Sequence, residues 1–162
     1  MRRTWSEWAP LPLRLVLGFG LAYHGFPKLF TAEGRASIAG MLGGLGVPAP
    51  GIMGWVVGTV EFVGGVLLIV GAFVAVVSLL AIIDMVVAML LVHLPQGFNF
   101  MHITGMTEAG LEFGMPGYEV NLLYIAGLLA LLLGGAGALS VDRRRAGAAS
   151  GSLSEPPLRA AA

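Results

Sequence analysis

The chain contains no cysteine and few charged residues. Without cysteine it can form no disulfide and has no thiolate for catalysis or for thiol-linked haem. Charged residues make up 11% of the 162 residues, whereas a soluble domain of this length carries roughly a quarter. The formal net charge is zero, which argues against nucleic acid as a partner.

The sequence instead contains long runs of apolar residues. Hydrophobic residues make up 57% of the chain, and the mean hydropathy is +0.87. The runs have about the twenty residues that a membrane-spanning helix needs, roughly twice the length of a barrel strand. The sequence therefore predicts an all-α integral membrane protein that contacts the lipid bilayer on its outer surfaces.

The pattern of apolar runs and breaks predicts one four-helix transmembrane bundle over residues 11–142. The four expected spans cover about residues 11–30, 51–71, 73–94 and 118–139. Residues 1–10, with Trp5 and Trp8, are expected to form an interfacial lead rather than a cleaved signal. Residues 143–162 have little apolar surface, so we expect a disordered tail there.

Basic residues lie at both ends of the chain. Arg2, Arg3 and Arg14 lie on the side of the N-terminus, and Arg143, Arg144 and Arg145 lie on the side of the C-terminus. The longest loop, residues 95–117, contains no lysine or arginine. Because basic residues favour the cytoplasmic side, we expect both termini in the cytoplasm and this loop on the opposite side.

An acid lies in the middle of the second predicted span. On a helix, Gly54, Gly58, Glu61 and Gly65 share one narrow side. Such a glycine strip lets a second backbone approach closely, so the Glu61 carboxyl faces protein rather than lipid. An acid at this depth is costly and by default indicates a polar functional site.

Other ionisable residues lie within or beside the spans: Arg14, His24, Lys28, Asp84, His93 and Glu119. Asp84 is expected at a depth similar to that of Glu61, on the next, antiparallel helix. If the small-residue side of the first span meets the glycine strip, His24 and Lys28 approach Glu61 from the outer side. Arg14 would then approach it from the inner side. The result is a polar pocket in the outer half of the bundle.

Structural explanations compete with this interpretation. Lys28 and Arg14 can extend their charged ends to the two membrane surfaces. His93 can be a solvated histidine at the interface, and Glu119 can complement the dipole of the fourth helix. The two mid-membrane acids can be protonated and bonded to neighbouring backbone.

The spacing does not choose the ligand of the pocket. A quinone headgroup, a proton relay or another polar small molecule all remain open. A bis-histidine haem between His24 and His93 is a weaker hypothesis. A metal at His93 and His102 is also weaker, because no recognised ligand spacing is present, and we predict no metal site. The loop segment 98–102 is either a lid, a partner contact or an interfacial loop.

Several short motifs resemble the DoxX family of small bacterial four-span membrane proteins. In chain order they are Arg14-Leu15 with Gly18, His24-Gly25 with Lys28-Leu29-Phe30, Glu61 with Gly64-Gly65, His93 with Gly97-Phe98, Gly117-Tyr118-Glu119, and the segment Gly135 to Asp142. Together they cover about residues 13–142. The chain departs from the family at Ala136 and Ala138, where relatives often have Gly-Pro-Gly and a basic residue.

The resemblance implies a multi-pass protein of the bacterial inner membrane, linked to quinone-dependent oxidoreductases or to oxidative-stress complexes. It points to His24, Lys28, Glu61 and Glu119 as site residues. Our leading hypothesis is a membrane subunit that supports such redox chemistry, with Glu61 and His24 catalytic. The expected ligand-binding residues are Lys28, Asp84, Glu119, His93 and Arg14.

Two other functions stay open. The first is a non-catalytic anchor or assembly partner of a soluble or membrane oxidoreductase, and the second is a small proton-coupled transporter. Whether the chain is itself an enzyme is not decided by its sequence. Its glycine strips could also support a homo-oligomer.

Overall fold

The structure is a computed structural model that describes the backbone of residues 5–152 and the side chains of residues 5–148. Arg2, Arg3 and the expected tail beyond residue 152 lie outside these residues. The described helices are α1 (Trp5–Trp8), α2 (Pro10–Phe30), α3 (Ala32–Gly44), α4 (Pro50–Val70), α5 (Val74–Ala88), α6 (Glu119–Gly134) and α7 (Val141–Ser152). A π-helical turn (Met89–His93) and a 3-10 turn (Leu94–Gln96) continue α5.

Helices α2, α4, α5 and α6 pack around one apolar core. Helix α2 lies mainly against α4, and α6 lies mainly against α5. The buried core side chains are Leu17, Leu21, Leu68, Val74, Val77, Ala81, Leu128 and Leu131. Of the described helices, two are long and apolar enough to cross a membrane, namely Pro50–Val70 and Val74–Gln96. Helix α6 is apolar but shorter.

The end of the bundle where α4 turns into α5 is closed by polar contacts, and we call it the tight end. Gly71 and Phe73 adopt left-handed backbone conformations in this turn. The Asp142 carboxylate accepts hydrogen bonds from the N–H groups of Phe73 (2.8 Å) and Val74 (2.9 Å). These bonds satisfy the first donors of α5 and tie the start of α7 to the turn.

The opposite end, which we call the cavity end, contains α3 and the segment from residue 94 to residue 118. This segment holds a two-stranded antiparallel hairpin, β1 (Ile103–Thr107) and β2 (Gly110–Phe113). The predominantly helical fold is confirmed, and the hairpin lies within the loop that the sequence predicted over residues 95–117. Thr107 pairs with Gly110, whose φ of 124° closes the turn in a conformation that favours glycine.

Two further elements differ from the sequence-based expectations. Helix α3 was not predicted; it is capped by Thr31, whose Oγ1 accepts a hydrogen bond from the Gly34 N–H at 2.9 Å. The expected disordered tail instead begins as α7. There the Ser140 hydroxyl accepts from the Arg143 N–H (3.3 Å), and the Arg143 guanidinium pairs with Glu7 (2.9 Å).

The fourth apolar helix ends earlier than predicted, at Gly134 instead of about residue 139. The chain leaves the helix through left-handed conformations at Gly135, Gly137 and Leu139. The carbonyl groups that this break releases are bonded by a side chain from α2, as described below. A glycine-rich apolar sequence alone does not distinguish such a break from a helix packing surface.

Candidate functional site

A cavity of about 620 Å³ lies at the cavity end, between the four bundle helices, α3 and the loop that carries the hairpin. Its walls are mostly apolar. The polar side chains that line it are His24, Lys28, Glu61, Asp84, His93, Asn121 and Tyr124. A pocket of a few hundred cubic ångströms with apolar walls and a few converging polar groups is typical of a small-molecule site.

Close contact between α2 and α4 positions the centre of this polar group. A Cβ atom added to Gly25 would collide with the Phe62 backbone nitrogen, and one added to Gly65 would collide with the Gly18 carbonyl oxygen. Only glycine therefore fits at these crossing points. Of the glycine strip predicted from the sequence, Gly58 and Gly65 meet α2, whereas Gly54 meets Ile38 of α3.

Lys28 and Glu61 form an ion pair at this contact. The Lys28 ammonium contacts both oxygens of the Glu61 carboxylate. The Glu61 side chain is 6% exposed and that of Lys28 is 21% exposed. The charge of each group is thus compensated by the other, and the ammonium still reaches the cavity surface.

His24 and Asp84 flank this ion pair. The His24 ring lines the cavity and packs edge-on against Tyr23, with ring centroids 5.8 Å apart. The Asp84 carboxyl, from α5, interacts electrostatically with both members of the pair. Its Oδ2 atom is buried and has no hydrogen-bond partner among the described residues. A buried carboxyl oxygen without a partner is costly, so it marks a position where a ligand donor would be stabilising.

Helix α6 adds two cavity residues that the sequence did not point to. Asn121 is 5% exposed, and its Nδ2 lies 3.4 Å from the Met85 carbonyl oxygen. Tyr124 lines the cavity three residues later, and its hydroxyl packs over the backbone of Gly20. An Asn and a Tyr at i and i+3 in an apolar helix are a detectable signal, which attention to charged groups alone overlooks.

His93 reaches the cavity through the π-helical turn. Its Nδ1 lies 2.8 Å from the Pro116 carbonyl oxygen, which belongs to the loop over the cavity. Glu119 is not among the cavity-lining residues. Its Oε2 instead accepts a hydrogen bond from the Phe100 N–H (3.1 Å), and the Phe100 side chain lines the cavity. Glu119 therefore positions the loop and does not face the cavity.

Arg14 lies at the tight end and away from the cavity, contrary to the expectation that it approaches Glu61. It is 1% exposed. Its guanidinium donates to the carbonyl oxygens of Leu68 (3.0 Å), Ile69 (3.1 Å), Ala136 (2.6 Å), Ala138 (3.0 Å) and Leu139 (3.1 Å). These acceptors are the last carbonyls of α4 and those released by the break after α6. Arg14 is a structural residue here, and its short path to backbone acceptors explains why it does not reach the cavity.

His24 and His93 both line the cavity, whereas His102 lies outside it, with its Nδ1 3.0 Å from the Met115 carbonyl oxygen. Within the described part of the chain, no group of three or more His, Asp or Glu side chains is placed to hold a metal ion.

Comparison with known families identifies the chain. The family model for DoxX matches residues 9–94, more than half of the sequence. The chain therefore belongs to the DoxX family and is a membrane protein. The search of curated proteins and the search of solved structures find no match. The matched region includes α2, α4 and the Lys28–Glu61 pair, but not α6.

Proposed function

We propose that this DoxX-family protein is a membrane subunit of quinone-linked redox or oxidative-stress chemistry, and that the cavity binds the quinone headgroup. The observation that carries the proposal is the Lys28–Glu61 pair beside the unpartnered Asp84 oxygen in one largely apolar cavity. The apolar walls suit a lipid-soluble ring, and the polar groups suit its two oxygens.

In this proposal, α2, α4, α5 with its π-helical turn, and α6 cross the bacterial inner membrane. Helix α2 has 21 residues, which corresponds to about 31 Å at about 1.5 Å per residue and matches the apolar layer. Its two charges are compatible with that depth, because Arg14 is bonded to backbone carbonyls and Lys28 is paired. Both termini lie in the cytoplasm, as the basic residues near the chain ends favour.

The residues have distinct roles in the proposed chemistry. Lys28 and His24 donate hydrogen bonds to the quinone oxygens. The two protons that accompany two electrons when a quinone is reduced to a quinol come from solvent and pass through Glu61 and Asp84, each of which takes up a proton before it delivers one. The electrons come from a partner oxidoreductase bound to the membrane. Asn121 and Tyr124 complete the polar lining and orient the ring.

A second function is favoured by a different feature, the exposed hairpin. Met106 is 82% exposed and Phe113 is 60% exposed, so the hairpin presents apolar side chains outside the bundle. A non-catalytic anchor or assembly partner would use this surface to hold a soluble oxidoreductase. In that case the polar groups of the cavity would not matter for function.

The substitution Glu61→Gln tests the first proposal. It keeps the size of the side chain but removes the charge that holds Lys28 and the group that transfers a proton. We expect the affinity for a short-chain quinone to fall by about tenfold or more, the effect of losing a charge-assisted hydrogen bond. The measurement is a quinone titration of the purified protein in lipid nanodiscs.

Glu112→Gln is the matched control, because Glu112 lies on the exposed strand β2. It should bind quinone like the unchanged protein. If Glu61→Gln binds quinone and supports its turnover normally, the proposal of a quinone site in this cavity is wrong. If a soluble oxidoreductase also co-purifies with both variants in equal amounts, the anchor function replaces it.

A further inference from the structure

A second cavity of about 290 Å³ shares lining residues with the first. It is lined by Lys28, Arg35, Ala36, Ile38, Gly51, Gly54 and Trp55. Lys28 and Ile38 line both cavities. The proposed quinone site does not use the remaining residues of this second cavity.

Two contacts position Arg35 in this second cavity. One terminal nitrogen of its guanidinium donates to the Leu29 carbonyl oxygen at 2.8 Å, and the group lies 5.7 Å from the centre of the Trp55 ring. A guanidinium has five N–H donors, so most of them remain for a ligand. Arg35 forms no ion pair with a carboxylate among the described residues.

The charge around this cavity is therefore positive. The charge of Lys28 is balanced by Glu61, whereas that of Arg35 is not. The first turn of α4 adds to this, since Pro50 opens the helix and no side chain caps it. Gly51 leaves the backbone accessible, because a Cβ atom there would meet nothing within 4 Å.

We propose that this second cavity binds a phosphate oxyanion, carried by a phospholipid headgroup or free in solution. A planar guanidinium binds two phosphate oxygens at once, which fixes the anion more firmly than a point charge does. Trp55 is 52% exposed beside the guanidinium, and tryptophan concentrates at the level of lipid headgroups. This site does not depend on the function proposed for the first cavity.

Lipid retention tests whether the phosphate bound in the second cavity belongs to a phospholipid headgroup. The protein is reconstituted in vesicles of phosphatidylglycerol and phosphatidylcholine, extracted in mild detergent and weighed by native mass spectrometry. We expect phosphatidylglycerol to be retained by the unchanged protein and about tenfold less by Arg35→Gln, the effect of losing one charge-assisted contact. Arg144→Gln, an exposed arginine on α7, is the matched control and should retain lipid normally.

Trp55 fluorescence tests whether the second cavity instead binds free phosphate from solution. Trp5→Phe and Trp8→Phe leave Trp55 as the remaining tryptophan of three, so its emission reports on the cavity. A response to inorganic phosphate that Arg35→Gln abolishes, without selective lipid retention, assigns the site to a free anion. Arg35→Lys keeps the charge and should weaken either response only partly, whereas normal quinone binding by Arg35→Gln shows that this variant is folded.

The proposal is overturned if Arg35→Gln and Arg144→Gln retain phosphatidylglycerol equally and phosphate leaves the Trp55 emission unchanged. Quinone titration of Arg35→Gln separates this result from the first proposal. Loss of anion binding with normal quinone affinity confirms the second site alone.

Discussion

The tight end and the cavity end both bury a cation from α2, and they differ in how the surrounding polar atoms are satisfied. At the tight end, Arg14 is 1% exposed and donates to five backbone carbonyls. At the cavity end, the Lys28 ammonium pairs with the Glu61 carboxylate, and the nearby Asp84 Oδ2 has no hydrogen-bond partner among the described residues. About four turns of α2 separate Arg14, whose donors are bonded to backbone, from Lys28, which lies beside a cavity open to a ligand.

This difference separates structural from functional charge within one apolar helix. A buried charge is expensive, so its position in the sequence alone indicates that it matters but not why. The reason lies in the partners: a cation whose donors are all used by backbone has none left for a ligand. A cation that lies beside an unpartnered acid and an open cavity can still donate a hydrogen bond to a ligand, and the cavity leaves space for that ligand.

Replacing Arg14 should have the largest effect of the changes considered. Arg14→Met keeps the apolar stem and leaves five carbonyl oxygens without their donor, including those of the break after α6. We expect a loss of about 4 kcal/mol of stability, since each buried acceptor left unsatisfied costs about 1–3 kcal/mol and part of this is recovered by solvent. Thermal unfolding in detergent measures it.

Arg144→Met serves as the control, because Arg144 is exposed on α7 and should tolerate the change. Arg14→Lys retains the charge with fewer donors, so its stability should fall between the two. A melting temperature for Arg14→Met close to that of the control would remove the distinction between the two ends.

Much of the cavity end follows from sequence patterns. The spacing of Gly58, Glu61 and Gly65 predicts a close helix contact with an acid on it, and the small-residue side of α2 predicts its partner. The structure brings Lys28 to Glu61 at this contact. Helical periodicity is enough to predict this contact, because α2 and α4 are regular there and their glycines let the two backbones approach closely.

Other features depend on tertiary contacts that periodicity does not contain. The π-helical turn at residues 89–93 adds one residue to a helical turn, so an ideal 3.6-residue period misplaces His93. The end of α6 depends on Arg14, which is more than a hundred residues away in the chain and bonds the carbonyls released there. Helix α3, in contrast, could have been predicted from the capping signal at Thr31.

An intermediate effect is expected where α2 crosses α4 at the cavity end. Gly25→Ala places a methyl group against the backbone of Phe62 and Gly58, so the helices must separate near the ion pair. We expect a loss of about 2 kcal/mol of stability, typical of overpacking, together with weaker quinone binding. Thermal unfolding and quinone titration measure the two effects.

Gly40→Ala is the matched control on α3, because a Cβ atom there meets nothing within 4 Å. Alanine favours the helix over glycine by up to about 1 kcal/mol, so this variant should be as stable as the unchanged protein or more so. Equal stability of the two alanine variants would show that the close contact between α2 and α4 does not hold the cavity end together.

The smallest effect on stability should come from Asn121, a polar residue that lines the cavity. Asn121 is 5% exposed, and its Nδ2 makes only long contacts among the described residues, 3.4 Å to the Met85 carbonyl oxygen and 4.0 Å to the Met85 sulfur. Asn121→Leu fills the same space, so we expect a change of less than about 1 kcal/mol in stability but about tenfold weaker quinone binding. Asn99→Leu, in the exposed loop, should change neither quantity.

If Asn121→Leu unfolds as readily as Arg14→Met, then polar groups at the cavity end hold the fold as Arg14 does. Stability and binding measured on the same variants therefore decide whether the two ends have different roles.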